Sequence, residues 1–319
     1  MAKRSEFTSA AVAGVTANVI LGASSIYWKQ LGAILPTTLL GYRILLSLAT
    51  LTLVMFMLGK LSGLRGKLSS KTFAIHALAG CLVVVNWGTF IWASVHGHVI
   101  ESGLGYLIAP FIAIGVAALL FGDSISKTRL VALAVIAATV IVLLLRSGEL
   151  SHWVYLVIGA TWGGYACLKK LTPLDAFAGL LVETMVLAVI WAVLLVATPI
   201  TLELPADIPL ISIALLLLCG AVSVVPLWLF AHAATRLPLS VMGFFQFVLP
   251  ITQLVVALTF YNQPMSVNTL VGFLVIFGGA AGHCRRAAVA VSDRGRQVAV
   301  TAERRSGLPR QMVCSARTP

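Results

Sequence analysis

Long apolar runs separated by short polar stretches divide most of the chain into segments of membrane-spanning length. A helix that crosses a bilayer needs about 20 predominantly apolar residues. Segments that meet this condition lie near 8–28, 36–58, 73–95, 102–121, 129–146, 152–170, 174–198, 209–233, 239–261 and 266–283. The pattern predicts an all-α integral membrane protein with ten transmembrane helices, and the short loops leave no room for a soluble domain.

Composition agrees with this prediction. The chain is 60% hydrophobic and 10% charged, whereas about 25% of the residues of a soluble domain are charged. The net charge of +12 does not indicate nucleic-acid binding, because the cations lie between apolar runs and in the C-terminal tail. The expected partner is therefore the lipid bilayer. The five cysteines show no metal-ligand spacing, so neither a metal nor a cofactor is predicted.

The distribution of Lys and Arg predicts the orientation. Eleven lie in the N-terminal stretch or in loops on the same side of the membrane as the N-terminus, and the tail adds eight. The opposite side carries only Lys29 and Arg146. Since positive residues favour the cytoplasm, both termini are expected there, in agreement with an even number of spans. Residues 284–319 are predicted to be a disordered basic tail.

The two halves of the chain resemble each other. "LVALAVI" at 130–136 returns as "LVGFLVI" at 270–276, an offset of 140 that also pairs Pro110 with Pro250. An offset of 141 pairs Gly22 with Gly163. Because five spans is an odd number, the second copy must enter the membrane inverted, as in many transporters. The predicted units are 1–148 and 149–283.

Arg43 and Glu183 are buried charges at paired positions, 140 residues apart. At 1.5 Å per residue, Arg43 lies about 10 Å from the outer boundary and Glu183 about 13 Å from the inner one. Both are thus near the middle of a core about 30 Å thick, and we expect them to face each other across a central cavity. A structural pair that joins the halves, or an Arg43 that extends to the interface, are alternatives.

Other polar or ring-bearing residues interrupt the apolar helices. Together they are typical of a pocket with aromatic walls and few charges, although each alone could instead join two helices. The predicted substrate-binding residues are Arg43, Asn86, Trp87, Trp92, Tyr106, Glu183, His232 and Gln246. In this interpretation Arg43 holds an anionic or carbonyl group, and Glu183 binds an amine or titrates.

Candidate gating or coupling residues are Glu101, Glu183, Pro110 and Pro250. Glu101 ends an external "HGHVIE" loop at a predicted helix start, where an acidic residue is favourable. Each proline would loosen its helix by removing one backbone hydrogen bond.

The sequence shows no nucleophile–base pair or metal cluster at one depth, so an enzyme is not expected. A secondary transporter (permease) of a small metabolite or drug-like solute, working by alternating access, is the favoured function. A receptor or assembly factor that does not transport, or a lipid-modifying membrane enzyme, are the alternatives. The chain could form a homodimer.

Several segments resemble the RarD-type permeases of the EamA family, in the drug/metabolite transporter superfamily. They are residues 86–110, residues 234–261, "GYRILLS" around Arg43, "LLVETM" around Glu183 and "VVPLWLF" at 224–230. The resemblance extends from about residue 8 to 283. It implies two inverted five-helix repeats, a bacterial plasma-membrane location, and export or exchange of small metabolites and drugs. The chain departs from the family at Ala109-Pro110, usually Asn-Pro, and at Asn262-Gln263, usually Gly-Glu.

Overall fold

The computed structural model describes residues 2–61, 63–64, 66, 68–121, 127–169, 174–234, 236 and 245–278. Within these ranges the secondary structure is helical, with no strand. Ten helices are delimited: α1 Ala2–Gln30, α2 Pro36–Met57, α3 Ser70–His96, α4 Val99–Phe121, α5 Lys127–Arg146, α6 His152–Lys169, α7 Ala176–Ala197, α8 Leu210–Ala234, α9 Val248–Thr259 and α10 Val267–Gly278. The predicted start of the ninth span, the end of the tenth and the tail 284–319 lie outside the described residues.

Among the residues that the structure describes, five stretches are long and apolar enough to cross a membrane: Glu6–Gln30, Pro36–Met57, Ser70–His96, Phe177–Ala197 and Leu210–Phe230. Large apolar side chains point outward from these helices; Val196 is 90% exposed and Phe56 is 71% exposed. Such surfaces are rare on soluble proteins and suit contact with lipid. The chain is a multi-pass membrane protein.

Local signals in the sequence place the helix ends. Pro36 occupies the first turn of α2, where a missing N–H costs nothing. Ser69 caps α3 by accepting a hydrogen bond from the Thr72 amide, and Asp175 caps α7 by accepting from the amides of Phe177 and Ala178. Helix α3 ends at Gly97, whose φ of 81° lies in the left-handed region that glycine adopts readily.

The helices of the two halves interlock rather than forming separate bundles. Helix α1 packs against α8 and α9, and α6 packs against α3 and α4. Helix α2 packs against α7 and α8, α7 packs against α3, and α4 packs against α9. Each of these pairs joins a helix before residue 148 to one after it, so the centre of the molecule lies between the halves.

Helix starts recur at the offset found in the sequence. Helix α2 begins at Pro36 and α7 at Ala176, and both contain 22 residues. The starts of α3 and α8 are Ser70 and Leu210. Those of α5 and α10 are Lys127 and Val267. Each pair of starts is separated by 140 positions, so the repeat extends to secondary structure.

Two glycines allow helices to cross with their backbones in contact. A Cβ on Gly22 would lie 2.7 Å from the Leu249 carbonyl oxygen, where α1 meets α9. A Cβ on Gly163 would lie 2.7 Å from the Ala109 carbonyl oxygen, where α6 meets α4. Ala109 and Leu249 are 140 positions apart, so paired glycines contact paired backbone atoms.

Candidate functional site

Two adjoining internal cavities lie where the halves meet. One measures about 30 Å³ and the other about 20 Å³. Both are lined by Leu21, Tyr106, Trp162, Leu227 and Leu249. The first is also lined by Ser24, Arg43, Asn86, Trp87 and Phe90, and the second by Asn18, Phe230 and Gln246. Each has room for a water molecule or two, whereas pockets that hold drug-sized ligands measure roughly 300–1,000 Å³. The site is therefore closed in this conformation.

Arg43 reaches the first cavity from α2, and only 5% of the residue is exposed. Its guanidinium carbon lies 4.0 Å from the centroid of the Trp87 ring and 5.0 Å from that of Trp28. A desolvated cation over an aromatic face gains about 2 kcal/mol, which offsets part of the cost of burial. The Nε and Nη1 groups have no hydrogen-bond partner among the described residues. The rings thus hold the charge in place and leave donors unused beside a cavity.

Asn86 is fixed on the wall of the same cavity by bonds that cross from α3 to α6. Its amide nitrogen donates to the Thr161 hydroxyl at 3.2 Å and to the Ile158 carbonyl at 3.4 Å. The Tyr106 hydroxyl donates to the Asn86 amide oxygen at 2.9 Å. Asn86 therefore joins helices and borders the cavity at once, so the two interpretations left open by the sequence both apply.

Glu183 does not line either cavity. Its carboxylate accepts from the Tyr165 hydroxyl at 3.1 Å, lies 2.8 Å from the His76 Nδ1 atom, and pairs with the Lys169 ammonium. Arg43 lies between tryptophan rings instead. The predicted approach of Arg43 to Glu183 is wrong, because α3 and α6 supply the partners of the carboxylate.

Trp92 and His232 also lie away from the cavities. The Trp92 ring stacks on His96 and His98, with centroids 4.5 and 5.1 Å apart. His232 lies beside Trp228 at 5.8 Å. At 3.6 residues per turn, Trp92 is rotated by about 240° from Asn86 on α3. His232 is rotated by about 140° from Leu227, the cavity residue of α8, so both rings point elsewhere.

A hydrogen-bonded network centred on Glu101 joins the predicted outer ends of several helices. The buried Glu101 carboxylate accepts from the Gln263 amide nitrogen at 2.7 Å and from the Ser151 backbone N–H at 3.1 Å. The Gln263 amide oxygen accepts from the backbone N–H groups of Val99 and Ile100, both at 3.0 Å. Asn262 has a φ of 49°, a left-handed conformation that asparagine tolerates.

Tyr261 closes the same end. Its hydroxyl donates to the Ser25 and Ser94 carbonyls at 2.7 and 2.8 Å, and the Lys29 ammonium lies 4.1 Å from its ring centroid. These contacts bind the ends of α1 and α3 to the end of α9.

The two candidate prolines differ in position. Pro110 lies inside α4, where it removes one backbone hydrogen bond. Pro250 is the third residue of α9. A helix needs no donor in its first turn, so Pro250 removes no bond of α9. Pro226, which is not among the predicted gating residues, lies inside α8 one residue before Leu227.

Reasoning from the sequence missed the partners that complete these arrangements. Trp28 borders Arg43, and Trp162 borders both cavities. In the sequence, each is only an aromatic residue in an apolar run, so neither could be singled out. His76 is different, because a histidine inside the span 73–95 meets the same criterion as Asn86 and could have been selected. In the sequence, Lys169 indicates only the orientation of the chain in the membrane.

Comparison with known proteins places the chain among membrane transporters. No model of a known protein family matches it. The uncharacterized transporter YojE of Bacillus subtilis is 31% identical over 81% of this chain and 88% of its own length. The protein RarD of Escherichia coli is 29% identical over 82% of this chain and 89% of its own. A crystal structure at 18% identity shares the fold, with a TM-score of 0.55 over 86% of this chain and 96% of that one.

Proposed function

The chain belongs to the RarD-type permeases and is a membrane transporter rather than an enzyme, and from this premise we propose that it is a secondary transporter. It carries a small solute across the bacterial plasma membrane by alternating access, in export or exchange. Its two halves are inverted repeats, and the solute site lies between them. Both termini are cytoplasmic.

The packing supports the inverted repeat. Exchanging the helices of one half for their counterparts in the other turns the pair α1–α9 into α6–α4, and α2–α8 into α7–α3; all four pairs are in contact. The paired glycines Gly22 and Gly163 follow the same exchange. Such an arrangement gives two equivalent ways to pack the halves, one open on each side of the membrane.

The present conformation corresponds to an occluded stage of that cycle. The Glu101 and Tyr261 networks close the outer end, and the central cavities hold only water-sized volumes. Solute entry then requires the halves to separate at one end. The outer networks are the bonds that must break for opening to the outside.

The proposed chemical class of the solute rests on Arg43. A buried guanidinium with unused donors is costly unless a ligand satisfies it, and arginine suits planar anions because its donors form a rigid fork. The described residues that line the cavities include no carboxylate, so nothing there would pair with an amine. The solute is therefore a small organic anion, with an apolar or aromatic body against Trp87, Phe90 and Trp162.

Solute counterflow in proteoliposomes tests this function. Labelled naphthalenesulfonate is a suitable first probe because it stays charged and does not leak across as a neutral acid, and a panel of carboxylates extends the search. We expect exchange by the wild type and at least a tenfold loss in Arg43→Ala. Arg146→Ala, which removes an exposed arginine at the end of α5, is the matched control and keeps the wild-type rate. Exchange by Arg43→Ala at the wild-type rate would exclude Arg43 from the site.

Single cysteines introduced at Lys60 and Lys127 test the orientation. Both lie at helix ends predicted to face the cytoplasm, so a thiol reagent that cannot cross the membrane should label them in inverted vesicles and not in intact cells. Labelling of the two positions from opposite sides would contradict the topology.

A further inference from the structure

Four titratable side chains meet inside the bundle, and none of them lines the two solute cavities. They are His76 on α3, Tyr165 and Lys169 on α6, and Glu183 on α7, and we call them the Glu183 cluster. Glu183 is 1% exposed and His76 is fully buried, whereas the Lys169 side chain is 27% exposed. Lys169 is the last residue of α6, at the predicted cytoplasmic end, so the cluster extends from the buried carboxylate toward that surface.

The backbone leaves room for this cluster. Gly179 lies one turn before Glu183, and a Cβ there would lie 2.8 Å from the His76 Cε1 atom and 3.3 Å from the Lys169 Nζ atom. On α3, a Cβ on Gly80 would lie 3.3 Å from the Glu183 carbonyl oxygen. Glycines at both places let the imidazole, the ammonium and the carboxylate converge.

The cluster has one unsatisfied position. The Nδ1 atom of His76 faces Glu183, but the buried Nε2 atom has no hydrogen-bond partner in the described part of the chain. With a neutral imidazole that donates through Nδ1, the cluster contains one carboxylate and one ammonium and carries no net charge. The Nε2 atom of that imidazole then carries a lone pair that can accept a proton.

The other helices around Glu183 contribute groups that are engaged elsewhere. Helix α2 contributes Arg43, which lies between Trp28 and Trp87. Helix α8 contributes Cys219, which packs in the apolar cluster of Trp28 and Leu39, and His232, whose ring lies beside Trp228. Among the described contacts of Glu183, the charged or titratable partners are thus His76, Tyr165 and Lys169.

We propose that the Glu183 cluster is a proton-binding site that couples proton movement to the opening of the cytoplasmic end. One proton adds at the Nε2 atom of His76, and the Nδ1 proton passes to the Glu183 carboxylate 2.8 Å away. The Nε2–H and O–H bonds form, the Nδ1–H bond breaks, and the pair becomes a neutral imidazole and a carboxylic acid. The Lys169 ammonium then faces a pair that no longer carries a net negative charge. Because Lys169 is partly exposed, it moves to water and its contact with α7 is lost.

The Lys169–Glu183 contact links the end of α6 to α7, and the His76–Glu183 contact links α7 to α3. Helices α3 and α6 also bear Asn86 and Trp162 on the cavity wall. Loosening at the cluster is therefore transmitted along two helices that border the solute. Loss of the proton restores the ion pair and closes the cytoplasmic end again.

Infrared difference spectroscopy of the protein in lipid, titrated with acid, tests the site without any solute. We expect a carboxylic acid C=O band that rises as the pH falls, is lost in Glu183→Gln and persists in Glu101→Gln, which removes the other fully buried carboxylate described. His76→Gln, which keeps a donor toward Glu183 but cannot titrate, should shift the midpoint of the band. A band unchanged in Glu183→Gln would overturn the proposal.

The proposed coupling of this proton site to opening rests on the proposed transport function. Measurements in proteoliposomes test coupling and transport separately. With naphthalenesulfonate as the probe, an imposed pH difference should drive accumulation by the wild type. In Glu183→Gln that accumulation should fall at least tenfold, while counterflow persists and no longer depends on pH. Accumulation by Glu183→Gln at the wild-type level, or loss of its counterflow as well, would contradict coupling at Glu183. If the wild type exchanged no solute, the transport proposal would fail while the infrared result still decided the site.

Discussion

Arg43 and Glu183 occupy paired positions in α2 and α7, and their surroundings differ in the way that matters for function. The guanidinium lies between tryptophan rings, borders a cavity and has two donor groups without partners. The carboxylate is 1% exposed, lines neither of the two central cavities and has three polar partners. A buried charge with unused donors beside a cavity is available to a ligand, whereas a paired charge holds helices together until its protonation changes.

The repeat thus provides two sites for buried charges, and the halves use them differently. Trp28 is a neighbour of Arg43, and Lys169 is a neighbour of Glu183. These two neighbours are themselves 141 positions apart. An aromatic ring leaves the charge of Arg43 in place, while an ammonium neutralises that of Glu183. Substitutions of Glu183 and of Arg43 test this difference between the two halves.

The largest effect on stability is expected for Glu183→Ala. This change leaves His76 and Lys169 without their carboxylate, and breaking a buried ion pair typically costs about 3–5 kcal/mol. Thermal unfolding in detergent should show a clear loss of stability. Glu183→Gln keeps two hydrogen-bonding groups and should therefore lose less stability. Equal stability of Glu183→Ala and the wild type would show that the Glu183 cluster does not hold the helices together.

Arg43→Met should produce the opposite pattern, with a large effect on solute and a small one on stability. The methionine fills similar space between the rings and removes a buried unpaired charge, so the unfolding temperature should stay level or rise. Hydrogen bonds to a charged group contribute about 1.5–3 kcal/mol, so transport of an anion should fall about 10- to 100-fold. A strongly destabilised Arg43→Met with normal transport would reverse the assignment of roles.

Gly22→Ala and Gly163→Ala test whether the halves are equivalent in packing. Each adds a Cβ 2.7 Å from a backbone oxygen, and such overpacking costs about 1–3 kcal/mol. The two losses should be alike, as measured by chemical or thermal unfolding. Gly115→Ala in α4, where a Cβ would meet no described atom within 4 Å, is the control and should gain about 0.5–1 kcal/mol from helix propensity.

The smallest effect is expected at Glu149, in the loop between α5 and α6. Hydrogen bonds from the Ser266 and Thr269 hydroxyls hold the pKa of the Glu149 carboxyl below its ordinary value of 4.5. A lowered folded-state pKa gives stability that is present above pH 4.5 and is lost as the pH falls toward the folded value. Glu149→Gln should flatten this part of the unfolding profile, and Ser266→Ala with Thr269→Val should do the same. An unchanged profile in both variants would exclude the loop contact.

Much of the helical architecture follows from local rules that the sequence displays. Apolar length sets the spans, and Pro36, Ser69 and Asp175 mark helix starts. The offset of 140 residues, found from short matches, reappears in the starts of three helix pairs. The cost of a polar group in lipid selected Arg43, Asn86 and Tyr106, and these residues do line one cavity.

The partners of these residues could not be predicted, because they depend on how each helix is rotated and where helices cross. Trp92 and His232 fall at paired positions, yet both are turned away from the cavity by the helical period. Glu183 was assigned to the solute because the sequence does not reveal that α6 ends with Lys169 close to it. A pattern can thus show that a polar group needs a partner without showing which one it has.

Tryptophan fluorescence is the most direct test of the claim that Arg43 receives an anionic solute. Trp28, Trp87 and Trp162 surround the guanidinium and the cavities, so a bound anion should change their emission. Titration of the purified protein with an alkanesulfonate, which does not absorb in the tryptophan range, should give a saturable change in the wild type. The same titration of Arg43→Met should give none, and saturation at the same concentration in both proteins would contradict the account.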